Sequence, residues 1–87
     1  MEEERDLVAR ATGADDISAF GILVRLHQSR VRGFLRRLTR GDTALADDLA
    51  QETFLEAQRK LRQYRAEGPF VGWLLRIAYS RFLILNF

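Results

Sequence analysis

Asp42-Thr43-Ala44-Leu45-Ala46-Asp47-Asp48-Leu49-Ala50-Gln51-Glu52-Thr53-Phe54-Leu55-Glu56-Ala57-Gln58-Arg59-Lys60-Leu61 is the stretch on which the fold turns. Ala46, Leu49, Ala50, Thr53, Phe54, Ala57 and Leu61 recur at three- and four-residue steps, which lines them up along one side of a helix. Asp42 or Thr43 is placed to cap its start, because a short polar side chain there accepts from backbone N–H groups that the first helical turn leaves unpaired. The opposite side gathers Asp47, Asp48, Gln51 and Glu52 around Leu55, an apolar residue with no place on the buried stripe. Carboxylates and amides around one outward leucine have the layout of a docking surface with a polar rim. The plainer alternative is a solvated helix face.

Helical spacing continues on both sides. Upstream, Phe20, Leu23, Val24, His27, Val31, Phe34, Leu35 and Leu38 form a longer stripe that Asp15 or Asp16 caps and Gly41 ends. Arg25, Arg30, Arg32, Arg36, Arg37 and Arg40 lie opposite, and the last of them suit the negative end of the helix dipole. His27 sits beside the stripe and is expected to be a half-buried structural residue with its polar edge outward. Before it, a short helix from about Glu3 to Thr12 carries Leu7, Val8 and Ala11 inward, with Gly13 to stop it. Downstream, Arg62 to Gly68 is a polar loop, and Gly68-Pro69 opens a fourth helix from Phe70 to near the chain end. Trp73, Leu74, Ile77 and Ala78 are its core stripe, and after Arg81 the residues Phe82 to Phe87 are apolar nearly all round.

Strict alternation never persists, so the fold class is all-α: a compact bundle of a short N-terminal helix and three longer ones. The expected core is Phe20, Val24, Val31, Leu35, Leu49, Ala57, Leu61, Trp73 and Ile77. Residues 1–87 read as a single domain, with the first helix in 1–14, the body in 15–81 and an atypical apolar tail in 82–87.

Composition narrows the function. A chain of 87 residues, 47% hydrophobic and 30% charged, forms one small folded domain with no room for a deep catalytic cleft. There is no cysteine and one histidine, which excludes disulfide scaffolds and thiolate zinc sites. Asp47, Asp48 and Glu52 are magnesium-type ligands, but no phosphate-cradling loop accompanies them, so an enzyme is the least supported reading and no metal or cofactor is expected. The N-terminus is acidic and no apolar run reaches bilayer length, which leads to the expectation of a cytoplasmic protein with no membrane contact. A net charge of +2 conceals segregated signs: acidic from Glu2 to Asp16, basic from Arg25 to Arg40, acidic from Asp42 to Glu56, mainly basic from Arg59 onward. Clustered cations suit an anionic polymer, and the acidic block suits a different partner.

Asp47-Asp48-Leu49-Ala50-Gln51-Glu52-Thr53-Phe54-Leu55, followed after a basic and aromatic loop by Phe70-Val71-Gly72-Trp73-Leu74-Leu75-Arg76-Ile77-Ala78, resembles region two of the extracytoplasmic-function sigma factors of bacteria. Leu7-Val8-Ala9-Arg10-Ala11, Ala19-Phe20 and Gly41-Asp42 fit the same pattern in order and spacing, so the resemblance covers roughly Leu7 to Ala78. It implies a transcription initiation domain, with no catalytic residues, that docks on the core RNA polymerase and recognises and melts the minus-ten promoter element. Asp47, Asp48, Gln51, Glu52 and Leu55 are then the positions for the coiled coil of the polymerase clamp, and an acidic face matches a basic partner helix. The loop and the fourth helix would meet the non-template strand of promoter DNA. Strand separation needs an aromatic face for an unstacked base and cations for the backbone. Tyr64, Phe70 and Trp73 are the aromatic candidates; Arg59, Lys60, Arg62, Arg65, Arg76 and Arg81 are the cations.

Departures from the family pattern lie at the C-terminal end. The position of Ser80 is commonly asparagine, and the region of Ile84 to Phe87 commonly carries an acid and then basic residues. A hydroxyl makes fewer directed bonds to a base edge than an amide, so Ser80 is carried as a DNA-contact candidate of reduced reach. The chain also stops before the family's second DNA-binding domain. A sigma-like domain that has lost DNA reading and binds an anti-sigma factor by mimicry, through the apolar tail, is the alternative function.

Overall fold

The computed structural model describes residues 3–13, 16–65 and 67–85. Four α-helices follow one another: α1 (Glu4–Gly13), α2 (Ile17–Leu38), α3 (Thr43–Lys60) and α4 (Phe70–Leu85), with a single 3-10 turn, Leu61–Gln63, between the last two. Among the described residues there is no strand. Local chemistry sets the helix starts. Asp16 caps α2 by accepting from the Ala19 N–H at 3.1 Å, and Asp42 caps α3 by accepting from the Leu45 N–H at 3.0 Å. Asp15, the other candidate cap, lies outside the described residues.

The end of α2 differs from its expected form. Gly41 does not itself take the first left-handed position after the cap: Arg40 does, at φ 56°, and Gly41 follows at φ 86°. The Gly41 N–H then reaches back to Arg36 O at 2.8 Å and the Arg40 N–H to Arg37 O at 3.3 Å, which occupies carbonyls that the helix end would leave bare. Two consecutive left-handed residues, Arg40 and Gly41, therefore close α2 and turn the chain toward α3.

Helix α2 is the spine of the bundle: α1, α3 and α4 all pack on it, α3 also packs on α4, and α1 touches the 3-10 turn. The core is Leu7 and Ala11 of α1; Ala19, Phe20, Leu23, Val31 and Leu35 of α2; Ala46, Leu49, Ala50 and Ala57 of α3; Leu61; and Phe70, Leu74, Ile77 and Ala78 of α4. The three buried alanines of α3 let that helix approach its neighbours closely, and the large leucines fill the space between. Thr53 is buried too, and its hydroxyl donates to Leu49 O at 2.7 Å, which removes the cost of an unpaired polar group inside.

Two of the expected core residues, Val24 and Trp73, are only half-buried. Leu23 of α2 and Phe70 and Leu74 of α4 take the deep positions instead. His27 is also corrected. Its polar edge does not face solvent: Nε2 pairs with the Glu4 carboxylate of α1, and its ring lies 5.8 Å from Phe70. Helix α4 continues through most of the apolar tail. Phe82 packs on the core, whereas Ile84 and Leu85 are 66% and 55% exposed. Asn86 and Phe87 lie outside the described residues.

Candidate functional site

Both candidate surfaces are mounted on the α3–α4 side of the bundle. On α3, Asp48, Gln51, Glu52 and Leu55 stand three and four residues apart, so one stripe presents them all, and Leu55 is 63% exposed. Asp47, half-buried, flanks them. Leu55 separates two grooves. One, toward α2, is lined by Val24, Gln28, Arg32, Gln51 and Phe54. The other, toward α4, is lined by Glu52, Glu56, Arg59 and Arg81. Spacing alone did not reveal the contribution of α2 to this face. Arg32 lies here and not on the basic outer side of its helix, and its Nε is buried with no acceptor among the described residues. The signal available in the sequence was its place four residues after Gln28 and eight after Val24, which sets all three along one side of α2.

The second surface is a groove between the end of α3 and the outer side of α4. Lys60, Gln63, Trp73, Arg76, Ser80 and Arg81 line it, with Glu56, Ile77 and Ile84. Trp73 offers a partly open ring. Behind it the Tyr64 ring packs at 5.2 Å, and Phe70 lies 5.5 Å from Trp73 and edge-on to Tyr64 at 5.3 Å. Such tilted and edge contacts fix ring orientation beyond what burial alone provides. Gly68 holds the third side. Its φ of 103° suits a residue without a Cβ, and its carbonyl accepts from the Tyr64 hydroxyl at 3.1 Å. Burial, with the nearby Glu4 carboxylate adding to it against Arg76, pushes the Tyr64 phenol above its ordinary value, so the hydroxyl stays a donor.

The structure divides the residues proposed for nucleic acid. It gathers Lys60, Trp73, Arg76, Ser80 and Arg81 in one groove, with Tyr64 supporting the tryptophan from behind. Phe70 is 3% exposed and offers no ring face outward; it is the floor of the aromatic group. Arg59 and Arg62 border a cleft with Asp16, Ile17 and Gln58, and Arg59 also lines the groove beside Leu55 and Arg81, but neither lines the groove beside Trp73. Arg65 is exposed and stands apart from the groove. Glu56, which sequence reading passed over, organises the end of α3: it pairs with Arg59 at 3.0 Å and Lys60 at 3.3 Å. Arg81 bonds to Glu52 at 2.8 Å, a contact between the two candidate surfaces themselves.

Among the described residues no group of acidic, histidine or cysteine side chains could hold a metal ion, and no helix is long and apolar enough to cross a membrane. Comparison with known proteins gives consistent matches. Residues 23–83 match the family described as Sigma-70 region 2. The RNA polymerase sigma-H factor of Pseudomonas aeruginosa is 38% identical over 80 residues, which covers 92% of this chain and 40% of that protein. The RNA polymerase sigma factor CarQ of Myxococcus xanthus is 44% identical over 78 residues, 90% of this chain and 40% of that protein. The chain therefore spans about two fifths of the length of these relatives. An NMR structure of an engineered region 2 of sigmaE in complex with GTAAAA superposes with a TM-score of 0.83 at 28% identity, covering 98% of this chain and 90% of that one.

Proposed function

The chain belongs to the Sigma-70 region 2 family, a family of transcription initiation factors and not of enzymes, and from that premise we propose that it docks on the clamp coiled coil of core RNA polymerase through α3 and captures the opened minus-ten promoter strand in the α4 groove. The observation that carries this reading is the half-open Trp73 ring, braced by Tyr64 and Phe70 and flanked by Lys60, Arg76 and Arg81. A base that leaves the duplex needs a flat apolar surface, and its phosphates need cations at the edges of that surface. The neighbouring fold bound to GTAAAA supports the same ligand class. On α3, Asp47, Asp48, Gln51 and Glu52 around Leu55 match a basic helix, where opposite charge speeds encounter and sets register while the leucine excludes water. The test is anisotropy of a labelled single-stranded GTAAAA oligonucleotide across a salt series. Binding that weakens steeply with salt and falls about tenfold with Trp73→Ala is expected; equal binding by wild type and Trp73→Ala removes the groove from the reading.

The exposed apolar end of α4 favours a second protein partner as well. Tyr79, Ile84 and Leu85 are open on the same helix, and an anti-sigma factor is the partner this family suggests. A domain that captured such a protein yet ignored the oligonucleotide at low salt would be a mimic and not an initiation factor.

A further inference from the structure

We propose that Arg81 is an internal competitor for the docking face, so that a basic partner helix which engages Glu52 frees Arg81 for phosphate and each interface strengthens the other. The inference rests on the two-interface reading above and adds a coupling between its halves. Arg81 stands in the wall shared by both grooves, lining the one beside Leu55 and the one beside Trp73. Its Nη2 donates to Glu52 Oε1 at 2.8 Å across 29 residues of sequence. The grip is incomplete: the Arg81 side chain is 30% exposed, the Glu52 side chain 48% exposed, and the Arg81 Nε is buried with no acceptor among the described residues. An ion pair open to solvent on both sides exchanges partners at little cost, and an arginine with an unused donor gains by moving to an anion that takes it in two-pronged fashion.

Charge accounting in the groove gives the direction. Lys60 is offset by Glu56, and Arg81 by Glu52, which leaves Arg76 as the least offset of the three groove cations. A partner's cation that takes over Glu52 returns one full positive charge to the groove. Because coupling free energy is reciprocal, a strand whose phosphate holds Arg81 leaves Glu52 open for docking by the same factor.

The experiment measures binding of labelled single-stranded GTAAAA to the full chain in four forms: wild type, Glu52→Gln, Arg81→Gln and the double variant. Glu52→Gln is expected to bind about fivefold tighter at low salt, with the logarithmic salt slope steeper by about 0.7, the increment of one added phosphate contact. Arg81→Gln is expected to bind more weakly, and the double variant should match Arg81→Gln, because the gain from removing Glu52 passes through Arg81. Circular dichroism confirms that each form is folded, as surface positions allow. No gain in Glu52→Gln, or an undiminished gain in the Arg81→Gln background, overturns the coupling while leaving the two interfaces in place. Absence of wild-type binding at any salt overturns the two-interface reading itself, and the coupling with it.

Discussion

The outward side of α3 and the outward side of α4 carry similar numbers of polar groups yet stand in opposite states. Asp48, Gln51 and Leu55 face solvent from a helix whose other side is locked by Ala46, Leu49, Ala50 and Ala57. Around the α4 groove most candidates are already engaged within the domain: Lys60 by Glu56, Arg81 by Glu52, Tyr64 by Gly68, Trp73 by its aromatic neighbours. A rod that meets another rod gains most from being rigid and largely bare, and Glu52 is the member of the α3 face that must first release Arg81. A groove that receives a flexible strand benefits from side chains held in place beforehand, and internal counterions keep its cations from repelling one another until phosphate arrives. The contrast therefore describes what kind of partner each face awaits.

The largest expected effect tests whether the faces share one support. Leu74 is 1% exposed and backs the groove from within, so Leu74→Ala should cost about 3 kcal/mol and lower the melting midpoint by roughly 15 °C, with both faces lost in one transition. Thermal unfolding by circular dichroism reads this; a groove that fails while α3 still captures the clamp fragment would mean two independently stable parts. Next comes the docking face. Gln51→Ala with Leu55→Ala should leave stability within about 0.5 kcal/mol but reduce retention by an immobilised clamp coiled coil by about thirtyfold. Unchanged retention would strip α3 of its role. Smaller is the difference within the basic set: Trp73→Ala should weaken oligonucleotide binding about tenfold, whereas Arg59→Ala, already paired with Glu56 and outside the groove, should change it by no more than about twofold. Equal losses at both positions would erase the boundary drawn around the groove.

Much of this was legible in residue order. Caps at Asp16 and Asp42, the Gly68-Pro69 opening and the buried arc of α3 each follow from interactions within a few residues, which a sequence displays directly. What escaped depends on neighbours far along the chain. Periodicity says which side of a helix faces inward but not how deep each position lies, so Val24 and Trp73 were placed in a core that Leu23 and Phe70 occupy. His27 pairs with Glu4 from a different helix, and Arg81 with Glu52 across 29 residues. The acidic face was visible because its members share one helix; the division of the cations was not, because Arg59 and Lys60 leave the last turn of α3 roughly 100° apart and only the packing of α1 and α4 around that end decides which groove each one lines.

The smallest effect is expected at Asp16, and it bears on that division. Hydrogen bonds from Arg10, at 2.7 Å and 3.0 Å, and from the Ala19 N–H hold its carboxyl below the ordinary value of 3.8. A depressed value means that the folded state releases its proton more readily than the unfolded one, so the contribution to stability is complete above pH 3.8 and drains away as pH falls toward the folded value. Asp16→Asn keeps an oxygen for the cap but loses the charge that Arg10 meets; at neutral pH its melting midpoint should fall by about 2 °C, and the two curves should converge as pH drops below 3.8. Oligonucleotide binding is the sharper readout. Asp16 borders the cleft that holds Arg59 and Arg62, on the far side of the turn from Trp73. Deleting a negative charge beside a phosphate path strengthens binding and steepens its salt dependence, so if the strand runs through the α4 groove, Asp16→Asn should bind as wild type does. A gain in affinity would instead route the strand past Arg59 and Arg62, and the contrast between the two faces would have to be redrawn with the nucleic acid on the α1 side of the bundle.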